Sequence, residues 1–162
     1  MADWTSIVTT AVLGLWGWFA FFRTYRSEKT AIVFALQPGE TEQYSDPEEG
    51  SLFTCYVDIT LTNRGKTPVT IKECECRYAI RTSGRSSSGV ASEKVDRMLG
   101  LADARTVRVC LYSKKVSLPK PEIIAVEVLA RDSTNHEWRP SRKSRRQFRK
   151  SMQSIWPVAH SN

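Results

Sequence analysis

Cys74 and Cys76, separated only by Glu75, come nearest to a chemical motif in this sequence. On a strand, positions two apart point to the same side, so both sulfurs would face one way. Two such thiols can serve as a metal pair, as a redox pair, or as small apolar core residues. A structural zinc site needs four ligands and commonly draws them from Cys pairs spaced by two to four residues. Here the spacing is one, and the other candidates, Cys55, Cys110 and His136, are scattered along the chain. The reading adopted is buried free thiols, with no metal and no cofactor. Asp132, His136 and Glu137 place acid and base groups close together. Neighbours on a strand face opposite ways, however, and no nucleophile elbow, phosphate loop or dinucleotide fingerprint accompanies them. Trp138 reads as a core or edge aromatic. No catalytic residue is assigned, and a non-enzymatic protein is expected.

The other chemistry lies in the charge. The segment RPSRKSRRQFRK (139–150) holds seven bases and no acid, which accounts for the whole net charge of +7. Outside it, 17 basic residues meet 17 acidic ones, so the surplus belongs to one short stretch. With Ser141 as N-cap, 142–156 would form a helix that stops at Pro157. Phe148, Met152, Ile155 and Trp156 then make a narrow apolar stripe. Arg142, Lys143, Arg145, Arg146, Arg149 and Lys150 fall on the flanking and opposite faces. Such a helix can lie on an anionic lipid surface, bind nucleic-acid phosphates, or pack its stripe on the domain with the charges solvated. The anionic membrane surface is the favoured expectation, and a peptide of 139–158 is then expected to be disordered in buffer and helical on anionic vesicles.

These residues need elements to position them. The 162 residues suit roughly one domain, and 41% apolar with 25% charged residues is an ordinary globular composition. Between Asp3 and Arg23 lies an uncharged run of 19 residues, WTSIVTTAVLGLWGWFAFF, with Trp4, Trp16, Trp18 and Phe22 toward its ends. As a helix it would reach ~28 Å, about the hydrocarbon thickness of a bilayer. It is read as a transmembrane anchor. Arg23, Arg26 and Lys29 follow it, so the positive-inside rule places the N-terminus outside and the remainder in the cytoplasm. A single-pass inner-membrane protein with reduced cysteines is the expectation.

From residue 30 the period changes to two. TAIVFALQ (30–37) reads as a first strand, and the acidic GETEQYSDPEEG (39–50) reads as a solvated loop. In LFTCYVDITLT (52–62), Phe53, Cys55, Val57, Ile59 and Leu61 share one face, while Thr54, Tyr56, Asp58, Thr60 and Thr62 share the other. Asn63 to Pro68 is a turn, with Asn63 and Gly65 available for left-handed backbone. In PVTIKECECRYAIR (68–81) the apolar parity switches, which predicts a β-bulge near Lys72–Glu73. TSGRSSSGVAS (82–92) reads as a flexible loop, and the spacing of Val95, Met98, Leu99 and Ala102 predicts a turn or two of helix. Strands return at 105–113 and at 122–132, the latter alternating through Ile124, Val126, Val128 and Ala130. A turn at 133–135 and a short strand at 136–139 follow. Five to seven strands without long intervening helices predict an antiparallel β-sandwich.

A membrane helix, a strand ending TLTNRGKTPVTI (60–71) and a later EVLARDSTNHEW (127–138) together resemble a large group of small bacterial membrane-anchored β-sandwich proteins, with an N-terminal transmembrane helix and an immunoglobulin-like domain. That resemblance is one of layout and implies no catalytic residue. Where the group commonly has glycine in the last hairpin, this chain has Asn135, which tolerates left-handed geometry. The expected organisation is an anchor and basic flank (1–29), a β-sandwich (30–140) and a basic C-terminal helix and tail (141–162). The expected role is a bilayer-anchored, cytoplasmic sandwich that binds another protein, with anionic lipid at the tail. Nucleic acid or another polyanion at the tail is the alternative.

Overall fold

The computed structural model describes residues 17–19, 31–44, 51–82, 84–116 and 121–156. Seven strands run in order: β1 (Ile32–Tyr44), β2 (Ser51–Asn63), β3 (Val69–Thr82), β4 (Arg85–Leu99), β5 (Ala104–Val116), β6 (Glu122–Asp132) and β7 (Glu137–Trp138). A C-terminal helix, Arg142–Ile155, follows. All pairings are antiparallel, in a three-stranded sheet of order β1-β2-β5 and a four-stranded sheet of order β4-β3-β6-β7. The chain crosses between the sheets after β2, β4 and β5, so neither sheet can form without the other.

The alternation in β2 explains the sandwich. Phe53, Cys55, Val57, Ile59 and Leu61 are all buried, and they form one core with Val109 and Leu111 of β5, Ile71, Cys74, Cys76 and Ile80 of β3, and Ile123, Val128 and Ala130 of β6. The opposite face of β2 carries the polar set, tied across to β5 by Thr54–Ser113 and Thr60–Thr106 hydroxyl pairs and by a two-point Arg108–Asp58 contact. The bulge expected at Lys72–Glu73 is present: the register shifts between Ile71 and Glu73 on both sides of β3. It turns Val69 and Ile71 inward on one parity and Cys74 and Cys76 inward on the other.

Several expectations are corrected. No N-terminal transmembrane helix is found: among the described residues, no helix is long and apolar enough to cross a membrane. Of the run at 4–22, only 17–19 is described; these residues are helical, with Trp18 and Phe19 exposed. Trp4, Trp16 and Phe22 lie outside the described residues. The single-pass inner-membrane placement and its orientation fall with the anchor.

Residues 85–99 are neither loop nor helix. They form β4, paired with β3 from Thr82–Arg85 to Val69–Leu99. Pairing with a buried neighbour overrides the Ser-rich composition, because an edge strand can leave polar side chains in water. The helical spacing at Val95–Leu99 arises from a break in register, where Asp96 adopts φ 39. The segment at 39–44 continues β1 rather than looping, and 45–50 lies outside the described residues. In β6 it is Ile123 that is buried, while Ile124 sits in a register shift opposite Ala79–Ile80 and is exposed.

Two cross-strand positions hold glycine against a tyrosine ring, and Gly89 opposite Tyr78 is one of them. Gly39 lies opposite Tyr56, and a Cβ there would overlap the tyrosine ring. The ring is held in turn by Arg108, whose guanidinium carbon is 4.2 Å from its centroid. Gly39→Ala is therefore expected to destabilise the domain by about 1–3 kcal/mol, the usual cost of overpacking. Adding Tyr56→Ser should recover most of that loss in urea titrations. A penalty that persists without the ring would assign the cost to the backbone instead.

Candidate functional site

The site forms where the second sheet is incomplete. β7 pairs with β6 only at Ala130–Trp138 and Arg131–Glu137. Pro140 then ends it, since proline has no N–H to continue a ladder. On the side away from β3, the backbone of β6 from Glu122 to Val128 consequently has no strand partner among the described residues. Ser141 redirects the chain: its side chain accepts from the Ser144 N–H and caps the C-terminal helix, as its residue type predicts. Ser144 in turn donates through Oγ to the Phe34 carbonyl on the β1 edge, at 2.9 Å. The helix thus lies along the open side of the sandwich between β1 and β6.

Phe148, Met152 and Trp156 are buried in the common core, whereas Ile155 is partly exposed. The stripe offered to an anionic leaflet is therefore taken up by the domain, because the sandwich presents apolar surface directly beneath it. The indole N–H of Trp156 is buried without an acceptor among the described residues. One step round the helix, Arg145, Arg149 and Gln153 face a groove of about 360 Å³. Its other wall is the contiguous run Ile123–Val128, with Leu36 and Pro140 completing it. Ile124 is 37% exposed there. Arg142, Lys143, Arg146 and Lys150 are also exposed but do not line the groove.

Four of the seven strand-borne arginines are matched by acids, whereas Arg85, Arg97 and Arg105 have no ion pair among the described residues. Arg131 reaches Glu73 at 2.9 Å, Glu75 at 3.3 Å and Glu137 at 3.4 Å. Arg77 holds Glu75 at 2.8 Å, and Arg139 joins Glu127 at 2.9 Å to Glu137 at 3.1 Å. Hydrogen bonding to Arg139, helped by Arg131, holds the Glu137 carboxyl below its ordinary pKa. None of the six bases on the helix forms an ion pair among the described residues.

The remaining sequence candidates have structural duties. Asp132 accepts through Oδ1 from the Thr134 N–H, the Thr134 hydroxyl and the His136 N–H, and through Oδ2 from Trp138 Nε1. It builds the last hairpin, in which Asn135 adopts φ 62 and His136 stacks edge-on to Trp138 at 4.7 Å. Burial raises the Asp132 pKa, but these hydrogen bonds more than offset it, leaving the group below its ordinary value. A carboxyl with a lower pKa folded than unfolded stabilises the fold above its unfolded pKa, and that contribution is lost as pH falls through the folded pKa. Acid titration of Asp132→Asn should accordingly show less loss of stability below about pH 4 than the native chain. An unchanged acid limb would place the titrating group elsewhere.

Cys55, Cys74 and Cys76 are buried free thiols, each pushed up to about 12, chiefly by desolvation. Cys110 is free and exposed. Among the described residues, no group of three or more His, Cys, Asp or Glu side chains is placed to hold a metal ion. A thiolate is the reactive form, so at pH 8 the folded chain should consume one equivalent of an aromatic disulfide reagent, and the other three thiols should react only on unfolding. Fast reaction of more than one thiol would show that the core opens.

What sequence reasoning missed is the β6 wall: Ile124, Ala125, Val126 and Glu127, with Gln153 opposite. A signal was present, because a β6 of 11 residues is followed by a partner stopped by Pro140 after two. Together the strands and helix define a two-sheet antiparallel β protein with a half-open edge groove. No protein-family model matches the chain, and no curated protein is detectably similar to it.

Proposed function

We propose that the chain is a non-enzymatic binding module that recognises another protein through the groove between the β6 edge and the C-terminal helix. The observation that carries this reading is the stretch Glu122–Val128, a strand edge without a partner among the described residues, flanked by apolar and basic walls. Unpaired strand backbone adjoining an apolar cleft favours peptide docking, because ladder hydrogen bonds supply affinity and the cleft supplies selectivity. A photo-crosslinking residue placed at Ile124 should capture a discrete partner in cells of the source organism. The same residue at exposed Val90, on the far edge strand β4, should not. Equal adducts at both positions, or none at Ile124, would reject the groove as the recognition surface.

A second reading rests on Arg142, Lys143, Arg146 and Lys150, which are exposed outside the groove and unpaired among the described residues. They suit a polyanion such as nucleic acid, whose binding would weaken steeply with salt. Loss of salt-sensitive retention on single-stranded DNA when these four are changed to Gln, with Arg145 and Arg149 kept, would support it. Retention that persists would exclude it.

A further inference from the structure

Resting on the groove reading, we infer that its occupant is an extended, acidic segment of a partner protein, which adds as a strand to the open edge of β6 and sets carboxylates against Arg145 and Arg149. Three observations lead there. The first is geometric. From Glu122 to Val128, apart from the register shift at Ile124, an edge strand turns the N–H and C=O groups of alternate residues outward, and a strand of that length extends for ~24 Å. The 14-residue helix beside it is ~21 Å long and lines the groove from Arg145 onward, so its wall is of similar length to the strand. An added strand would continue the line of β7 past the point where Pro140 ends it.

The second is charge complementarity. Five arginines on or beside the strands, Arg77, Arg81, Arg108, Arg131 and Arg139, have acidic partners. Arg85, Arg97 and Arg105 on the strands have none among the described residues, nor do Arg145 and Arg149, which alone of these five line the groove. A guanidinium without a partner in a partly enclosed cleft is suited to receive a carboxylate in two-point geometry.

The third is internal strain of charge. The helix has no acidic residue in its first turn, while Arg142, Lys143 and Arg145 sit against the positive end of its dipole. Arg142–Arg146, Arg145–Arg149 and Arg146–Lys150 are like-charge neighbours four apart, each mildly destabilising. Docking of Phe148, Met152 and Trp156 holds the helix in place against this repulsion. An acidic occupant relieves it; a basic one aggravates it. Pairing of two β6 edges from two copies is opposed for the same reason, since it would bring two arginine-bearing helices together.

The test selects binders from a display library of random eight-residue peptides on the full chain, with counter-selection on the double variant Arg145→Glu, Arg149→Glu. Both residues are exposed, so circular dichroism and the melting midpoint should match the native chain. Enriched sequences should alternate Asp or Glu with β-branched residues. A synthetic representative should bind at least tenfold more weakly to Arg145→Ala, Arg149→Ala, and at least tenfold more weakly when alternate amides are N-methylated in one register. Its binding should slow amide exchange between Glu122 and Val128. Groove-binding sequences that are neutral or basic, or that tolerate N-methylation in both registers, would overturn the acidic-strand occupant while leaving the groove reading intact. Absence of any peptide that protects Glu122–Val128 would overturn both. Protection of that stretch by a single-stranded oligonucleotide alone would give the groove to a polyanion and overturn this inference.

Discussion

Phe148→Ala is expected to lower the stability of the domain by about 3–5 kcal/mol, the usual cost of truncating a buried aromatic, and to release the C-terminal helix. Phe148 lies in the core shared by both sheets, with Met152 and Trp156 one and two turns further on. The helix has little to hold it once this contact is lost. A 14-residue helix is marginal alone, and this one carries like charges along its length. Against a total stability of about 5–15 kcal/mol, the loss would be a large fraction. Urea titration would read the change, and limited trypsin digestion would locate it. Arg142, Lys143, Arg145, Arg146, Arg149 and Lys150 are cleavage sites protected only while the segment stays helical and docked. Rapid loss of the tail from the variant, at trypsin concentrations the native chain resists, is the expected result. A native urea midpoint and native cleavage rate would show that the helix is an appendage and not part of the core.

The same helix marks how far the sequence could be read. Its Ser141 cap and its stripe were legible, because capping chemistry and 3.6-residue periodicity are local properties. Which surface the stripe covers was not legible, since lipid and a sandwich edge present the same apolar face to Phe148 and Trp156. β2 was read residue by residue because one of its faces is buried and the other is wet. The bulge in β3 was legible for a related reason: one extra residue in a strand shifts its inward-facing positions from odd to even, and the apolar residues shift with them. β4 was missed because an edge strand has no buried face along most of its length, and its register break gives Val95 and Leu99 a helical spacing. The N-terminal run satisfied length and hydropathy for a membrane span, but no helix long and apolar enough to cross a membrane is found among the described residues, and of the run itself only 17–19 is described. The open edge of β6 was beyond single-segment reading altogether. It exists only as the difference in length between β6 and β7, a property of two elements taken together.

Asn63 shows the same limit within one side chain. In the sequence it is a turn residue, offered with Gly65 for left-handed backbone, yet neither residue has positive φ. Asn63 is instead fully buried and joins two inter-sheet crossings. Its Nδ2 donates to the Thr67 carbonyl at 2.8 Å and to the Leu99 carbonyl at 3.1 Å, and its Oδ1 accepts from the Gly65 N–H at 2.9 Å. Its backbone N–H donates to the Asp103 carbonyl, and its own carbonyl accepts from the Ala102 N–H. The β2–β3 and β4–β5 connections are therefore tied together through one amide. Asn63→Ala removes three hydrogen bonds and leaves the buried Leu99 carbonyl without its donor, while the Thr67 and Gly65 groups can turn to water, so a loss of about 1–3 kcal/mol is expected. Asn63→Asp is nearly the same shape but should be worse at neutral pH, because it sets a carboxylate against the Thr67 and Leu99 carbonyl oxygens with no donor to offer either. Burial and those oxygens would raise the carboxyl pKa above its unfolded value, so the folded form would bind the proton more readily. The deficit of Asn63→Asp relative to the native chain should then shrink as pH falls toward 4, whereas that of Asn63→Ala should not. Urea midpoints at pH 7 and pH 4 for both variants measure this directly. An aspartate variant as stable as the native chain at pH 7 would mean that the amide donors contribute little, and that the crossings are held by packing alone.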